Sequence, residues 1–163
     1  MLGGVYIFLQ NLESALFEAE QAVALSPNSP FAYYILGSVL FFLEKPHDAI
    51  PMFQKSLRLS PIPISSAVLI RLAASYLLAG QSEEAIGQFI RLIELWPDNL
   101  HGRAMLAASY ANSGRDSQAR AEAKHVLRID PNFNVERYIK SLTTKNHMLI
   151  EHWTTGLHKA GLK

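Results

Sequence analysis

Pro27, Pro61, Pro97 and Pro131 fall 34, 36 and 34 residues apart, each two positions after a Leu or Ile (Leu25, Leu59, Leu95, Ile129). The same spacing recurs in Ala15, Ala49, Ala85 and Ala119, and in Leu2, Leu36, Leu72 and Leu106. Each of those leucines is followed by a small residue: Gly3, Gly37, Ala73 and Ala107. Three residues further on stand Tyr6, Leu40, Tyr76 and Tyr110. Several classes of position holding one register through four units are not coincidence. A proline cannot continue a helix, so it ends each unit on schedule. A unit of this length cannot bury its apolar face alone, which leaves stacking of neighbours as the route to a core.

The chemistry inside a unit points to paired helices. Small residues in the first helix and near the start of the second let two backbones approach, and large residues a turn away fill the groove around that contact. Where a large ring is missing, size returns nearby: Ala123 is followed by Val126, whereas Phe53 is followed by Ser56. Phe89 and Leu92 are both large, which predicts wider spacing there. Gly80 and Gly114 stand where a first helix must end, and Glu44-Lys45-Pro46 does the same in the second unit. Pro51 lies about one turn into its helix, where a backbone donor is lost. Helices are predicted at 2–9, 12–26, 30–43, 47–59, 66–79, 82–95, 100–113 and 116–129. Two more follow at 134–142 and 147–160, with Asn134 and Gly161 as caps.

These residues resemble the tetratricopeptide repeat (TPR), a helix–turn–helix unit with the signature W-x2-L-G-x2-Y…A-x3-F…P. Residues 30–63 match through Tyr33, Leu36, Gly37, Leu40, Ala49, Phe53 and Pro61, and residues 66–99 through Leu69, Leu72, Ala73, Tyr76, Ala85, Phe89 and Pro97. Residues 100–131 depart from it, with Arg103 for the leading aromatic and Ala123 for the Phe. The resemblance implies an all-α fold, a right-handed superhelical stack of antiparallel helix pairs. It divides the chain into units 1–29, 30–63, 66–99 and 100–131, with a helical cap at 132–163.

The two ends differ in character. In this register the first unit would begin five residues before Met1, so the chain is expected to open inside a helix and to derive from a longer one. Met1, Leu2, Val5 and Phe8 would then form an adhesive edge for a second copy. In the tail, Leu149, Trp153 and Leu157 share one helix face and are expected to cover the helix at 116–129. The ending Gly156-Leu157-His158-Lys159-Ala160-Gly161-Leu162 resembles the G-L-R-K-A-G-L close of bacterial TPR regions. Those regions stand behind class III adenylate cyclase or winged-helix DNA-binding domains, which implies a regulatory segment as the alternative reading.

Little in the chain suggests chemistry. It has no cysteine, which removes disulfides, thiolate metal sites and a Cys nucleophile. No phosphate-binding glycine loop, G-x-S-x-G elbow or H-E-x-x-H is present. His147, His152 and His158 cannot chelate one ion on a single helix, because successive steps turn about 140° and 240° around it. No metal and no cofactor are expected, and an enzyme is not the favoured reading. The net charge of +1 gives no field for nucleic acid or an anionic membrane. Leu2 to Leu9 is too short to span a bilayer and lacks a basic leader, which favours the cytoplasm.

A protein partner remains: a peptide or helix, or another domain of the same full-length chain. In TPR proteins the inner face of the first helices often carries Lys, Asn and Arg that clamp a terminal carboxylate. The matching places here hold Phe31, Tyr34, Ser38, Phe41 and Phe42, then Ile70, Arg71, Ala74, Leu77 and Leu78, then His101, Ala104, Met105, Ala108 and Asn112. Only Arg71 is charged. The expected site is therefore an apolar groove for an amphipathic helix or apolar segment.

Overall fold

The computed structural model describes the backbone of residues 2–60 and 65–163, and the side chains of 11–60 and 65–163. Among the described residues there are nine helices and no strand: α1 Leu2–Leu25, α2 Pro30–Phe42, α3 Pro46–Leu59, α4 Ser66–Leu78, α5 Ser82–Leu95, α6 Leu100–Asn112, α7 Asp116–Ile129, α8 Val135–Ser141 and α9 His147–Lys159. From α2 onward each helix falls within one or two residues of its expected place. The side chains of Met1, Leu2, Val5 and Phe8 and the Ile62-Pro63-Ile64 connection lie outside the described residues.

The turns explain that agreement. α2 closes with Glu44 N–H bonded to Phe41 O and Lys45 N–H bonded to Leu40 O. The same pair of bonds ends α4 at Gly80 and Gln81, α6 at Gly114 and Arg115, and α9 at Gly161 and Leu162. This geometry places one residue at positive φ, taken by glycine at 80, 114 and 161 and by Glu44 at 56°. At the other ends, side-chain oxygens of Ser29, Asn99, Asn134 and Asn146 accept from the backbone N–H three residues on.

One expectation fails here. Residues 2–9 and 12–26 are not a helical pair: α1 is one helix of 24 residues, about 36 Å long. Gln10-Asn11-Leu12 contains neither a glycine to take positive φ nor a proline to stop the helix. In the second repeat Pro46 bars helix at Lys45 and so forces the break.

The fold divides into two compact units, Met1–Ser75 and Tyr76–Lys163, with the division inside α4. In the first, α2 packs on α1 and α3. Gly37 makes the α2–α3 approach possible, since a Cβ there would lie 2.9–3.1 Å from the Phe53 ring. Ala49 and Phe53 are fully buried beside it, and Ser56 donates to the Pro30 carbonyl at 2.7 Å. α3 runs through Pro51, which is solvent-exposed.

In the second unit α6 is the hub. It packs on α5, α7 and α9, and every residue from Gly102 to Ala111 is buried. Its small residues allow this. Leu92 of α5 sits where a Cβ on Gly102 would come within 2.5 Å, so a glycine faces the larger leucine. Arg103, in the place of the usual aromatic, donates to the Pro97 carbonyl at 2.7 Å and to Glu122 at 2.6 Å. A buried guanidinium is tolerable because both interactions replace the water it gave up.

The tail also departs from expectation. α9 lies on α6, not on α7. Gly156 comes so close that a Cβ would stand 2.4 Å from the Ala108 carbonyl oxygen. The facing part of α6 offers Ala104 and Ala108, whereas α7 presents Arg120, Lys124 and Arg128. A helix can seat on small residues and cannot seat on a charged fringe without desolvating it. Leu149, Trp153, Leu157 and Leu162 are buried by this packing, and Val135 N–H bonds to the Lys163 carbonyl, tying α8 to the end of the chain.

Candidate functional site

Phe31, Tyr34, Ser38 and Phe42 succeed one another on α2 at steps of three and four, which keeps them on one stripe. Ile70, Arg71 and Ala74 lie on α4. The structure brings the two sets together in the first unit through Arg71. Its guanidinium donates to the Tyr34 hydroxyl and, at 3.1 Å, to Ser38 Oγ. The same group lies 5.2 Å from the Tyr34 ring centre and 5.6 Å from that of Phe42, within cation–π range of both.

Ser38 uses its hydroxyl in both directions, donating to the Tyr34 carbonyl at 2.7 Å while accepting from Arg71. Ser75 Oγ donates to the Arg71 carbonyl at 2.8 Å. The aromatic ring of Tyr34 also touches Phe31 and Phe53, and Phe41 meets Phe42 edge-on. The result is a stiff aromatic surface with one planar cation set into it. Phe31 is 58% exposed at its edge; Tyr34, Phe42, Ile70 and Arg71 are half-buried.

Other expected lining residues are placed differently. Phe41, Ser38 and Ala74 are buried, so they support the surface from beneath. Phe41, expected to line the groove, is turned towards the core, while its neighbour Phe42 faces out. Leu78, in the second unit, is half-buried.

The α6 members are covered by the tail. Asn112 Nδ2 donates to the His152 carbonyl at 2.7 Å, and His101 Nδ1 lies 2.7 Å from the Tyr138 hydroxyl. Met105, expected to line the groove, is buried. Burial lowers the His101 pKa to about 4 and raises that of Tyr138, so both are neutral near pH 7. His152 is lowered too, by burial first and then by the Lys159 charge. The signal for this covering was present in the sequence as Ala104, Ala108 and Gly156, but no spacing rule joins residues so far apart.

Among the described residues no three His, Asp or Glu side chains gather to hold a metal ion, and no helix is long and apolar enough to cross a membrane.

Models of the tetratricopeptide repeat match residues 34–99 and 70–132, and a further one matches 1–29. The chain belongs to the tetratricopeptide repeat family. Among curated proteins this TPR chain is 26% identical over 122 residues to anaphase-promoting complex subunit 7 of Dictyostelium discoideum. The match takes in 75% of the chain but spans only 20% of that relative's length. Among solved structures it is similar to MamA, with a TM-score of 0.72 at 19% identity over 98% of this chain and 92% of MamA. It is also similar to YrrB, described as a TPR protein with an unusual peptide-binding site, with a TM-score of 0.68 at 22% identity over 96% of this chain and 76% of YrrB. These likenesses fix the fold as the all-α TPR solenoid, a class of protein-interaction scaffold.

Proposed function

We propose that this TPR chain binds a partner segment on the α2–α4 surface of its first unit, through Phe31, Tyr34, Phe42, Ile70 and Arg71. The observation that carries the reading is the Arg71 guanidinium held between Tyr34 and Phe42 and fixed by the Tyr34 and Ser38 hydroxyls. Rigid aromatic side chains offer large contact area at low entropic cost, and a pre-ordered arginine gives direction to an otherwise apolar surface. Such a surface suits the apolar face of an amphipathic helix or an extended apolar segment. With its guanidinium already bonded to two hydroxyls, Arg71 is a poor clamp for a terminal carboxylate.

The test is capture of partners by the whole chain, compared with a Tyr34→Ala/Phe42→Ala variant of unchanged helix content. Specific partners should be lost by at least tenfold. Retention at full strength would place binding elsewhere. Phe41 is the wrong residue to vary, because its burial would confuse binding with stability.

A further inference from the structure

The exposed stripe of the second helices changes sign along the repeat. Glu13, Phe17 and Glu20 of α1 stand 104 residues before Ser117, Ala121 and Lys124 of α7, and all six are exposed. The repeats between them hold Pro51 and Gly87 in the place of Phe17, and both are exposed as well. The register therefore makes this the outward stripe of every second helix. Steps of four and three keep its members on one face.

The first and last members of the series differ in charge and in shape. From Asn11 to Leu25, α1 carries no Lys or Arg, and Phe17 stands 59% exposed between Glu13 and Glu20. On α7 the small Ala121 lies in a groove of about 540 Å³ whose walls include Arg120, Lys124, His125 and Arg128 and no carboxylate. Arg128 is paired with Asp98, but among the described residues Arg120 and Lys124 have no ion-pair partner. One helix projects a ring flanked by acid, and the other offers a hollow flanked by base.

We propose that copies of this chain associate through these two stripes, Phe17 of one copy seating on Ala121 of another. Glu13 and Glu20 lie four and three residues to either side of the ring, where Arg120, Lys124 and Arg128 can reach them. Exposed ion pairs add little each, so burial of Phe17 supplies the attraction while the charges select the surface it meets. The contact joins unlike faces, and each copy offers one of each.

Light scattering of the whole chain in about 0.01 M salt should give a mass above the 18.2 kDa of one copy. The dissociation constant should rise at least tenfold towards about 1 M salt, where charges are screened within about 3 Å. Phe17→Ala should weaken association by at least tenfold. Glu13→Lys/Glu20→Lys and Arg120→Glu/Lys124→Glu alter exposed positions, so helix content should hold, and each variant alone should stay single. Mixed in equal amounts they should associate again, because the reversed charges now face one another. A natural chain that stays single at low salt would overturn the proposal. So would a mixture no better associated than its parts, or association indifferent to Phe17→Ala.

Discussion

The inner stripes of α2 and α6 occupy equivalent places in the repeat and have met opposite fates. Phe31, Tyr34, Ser38 and Phe42 stand 70 residues before His101, Ala104, Ala108 and Asn112. In α6 two of the four are alanine, and α9 packs on α6 with Gly156 against the backbone of Ala108. In α2 three of the four are aromatic, with Arg71 set among the rings. Small side chains on α6 let the tail that follows α7 seat on it, whereas α2 carries bulky rings at the matching places. The family's fold permits both, and the difference is local chemistry.

The sharpest way to break this contrast is to give the α6 interface the bulk of α2. Gly156→Leu has no room to relax, because its first carbon meets the backbone of Ala108 and not a movable side chain. It should cost the upper end of the ~1–3 kcal/mol range for overpacking, or more. Thermal melts should fall by several degrees, and the buried Trp153 should shift its emission to the red. Amide exchange should rise in α6 before α2 and α3. If α7 responds first, the tail rests where the sequence alone suggested and not where the structure puts it.

Acid tests the same interface through His101. Its folded pKa of about 4 lies below the ordinary 6.5, so the unfolded chain binds the extra proton between those values. Stability from neutral burial is therefore complete above pH 6.5 and is lost as pH falls towards 4, by up to about 3 kcal/mol. His152, lowered chiefly by burial, adds in the same direction. Urea melts followed at Trp153 should show this slope. His101→Phe, which copies Phe31, should flatten it while lowering stability at pH 7, because the Tyr138 hydroxyl loses its partner. An unchanged slope in that variant would assign the pH dependence to other groups.

Within the first unit, Gly37→Ala probes how α2 is held. Its new methyl would press on the flat of the Phe53 ring, with an expected loss of ~1–3 kcal/mol. The matching pair in the fourth repeat is Ala107 and Ala123, where a methyl is tolerated because the ring is absent. Adding Phe53→Leu to Gly37→Ala should recover part of the loss. A double variant as weak as the sum of its parts would mean that the two residues do not answer one another.

Much of this is legible in the sequence alone. Repeat period, helix ends and small-residue contacts are written in local spacing, because proline, glycine and alanine act through backbone geometry that any helix shares. The rest was not local. No residue near Gln10 announces a turn, yet the periodicity invited one, since register records ancestry of a position and not the presence of a breaker. The tail's address on α6 depends on Gly156 meeting Ala108, a match of shapes 48 residues apart. At the candidate site, sequence found Tyr34, Phe42 and Arg71. It could not tell that Phe41 turns inward, nor that Arg71 spends its donors on Tyr34 and Ser38.

The smallest expected effect lies in the turns that close the two compared helices. α6 ends on Gly114 at φ 73°, and α2 on Glu44 at φ 56°. Both turns make the same pair of backbone bonds, so the hydrogen bonding of the cap does not distinguish them. What differs is the side chain, which in the left-handed region sets Cβ against the backbone at a cost of roughly 1–2 kcal/mol. Glycine removes that strain but gives the unfolded chain more freedom, which takes back about 0.5–1 kcal/mol. Glu44→Gly should therefore stabilise the first unit by about 0.5–1 kcal/mol, a rise of one to a few degrees in Tm. Gly114→Glu should lose a comparable amount in the second. The pairing matters more than either value. Opposite signs of similar size would show that the two turns are one device differing in a single side chain. A loss in both variants would mean that the Glu44 side chain itself supports its turn.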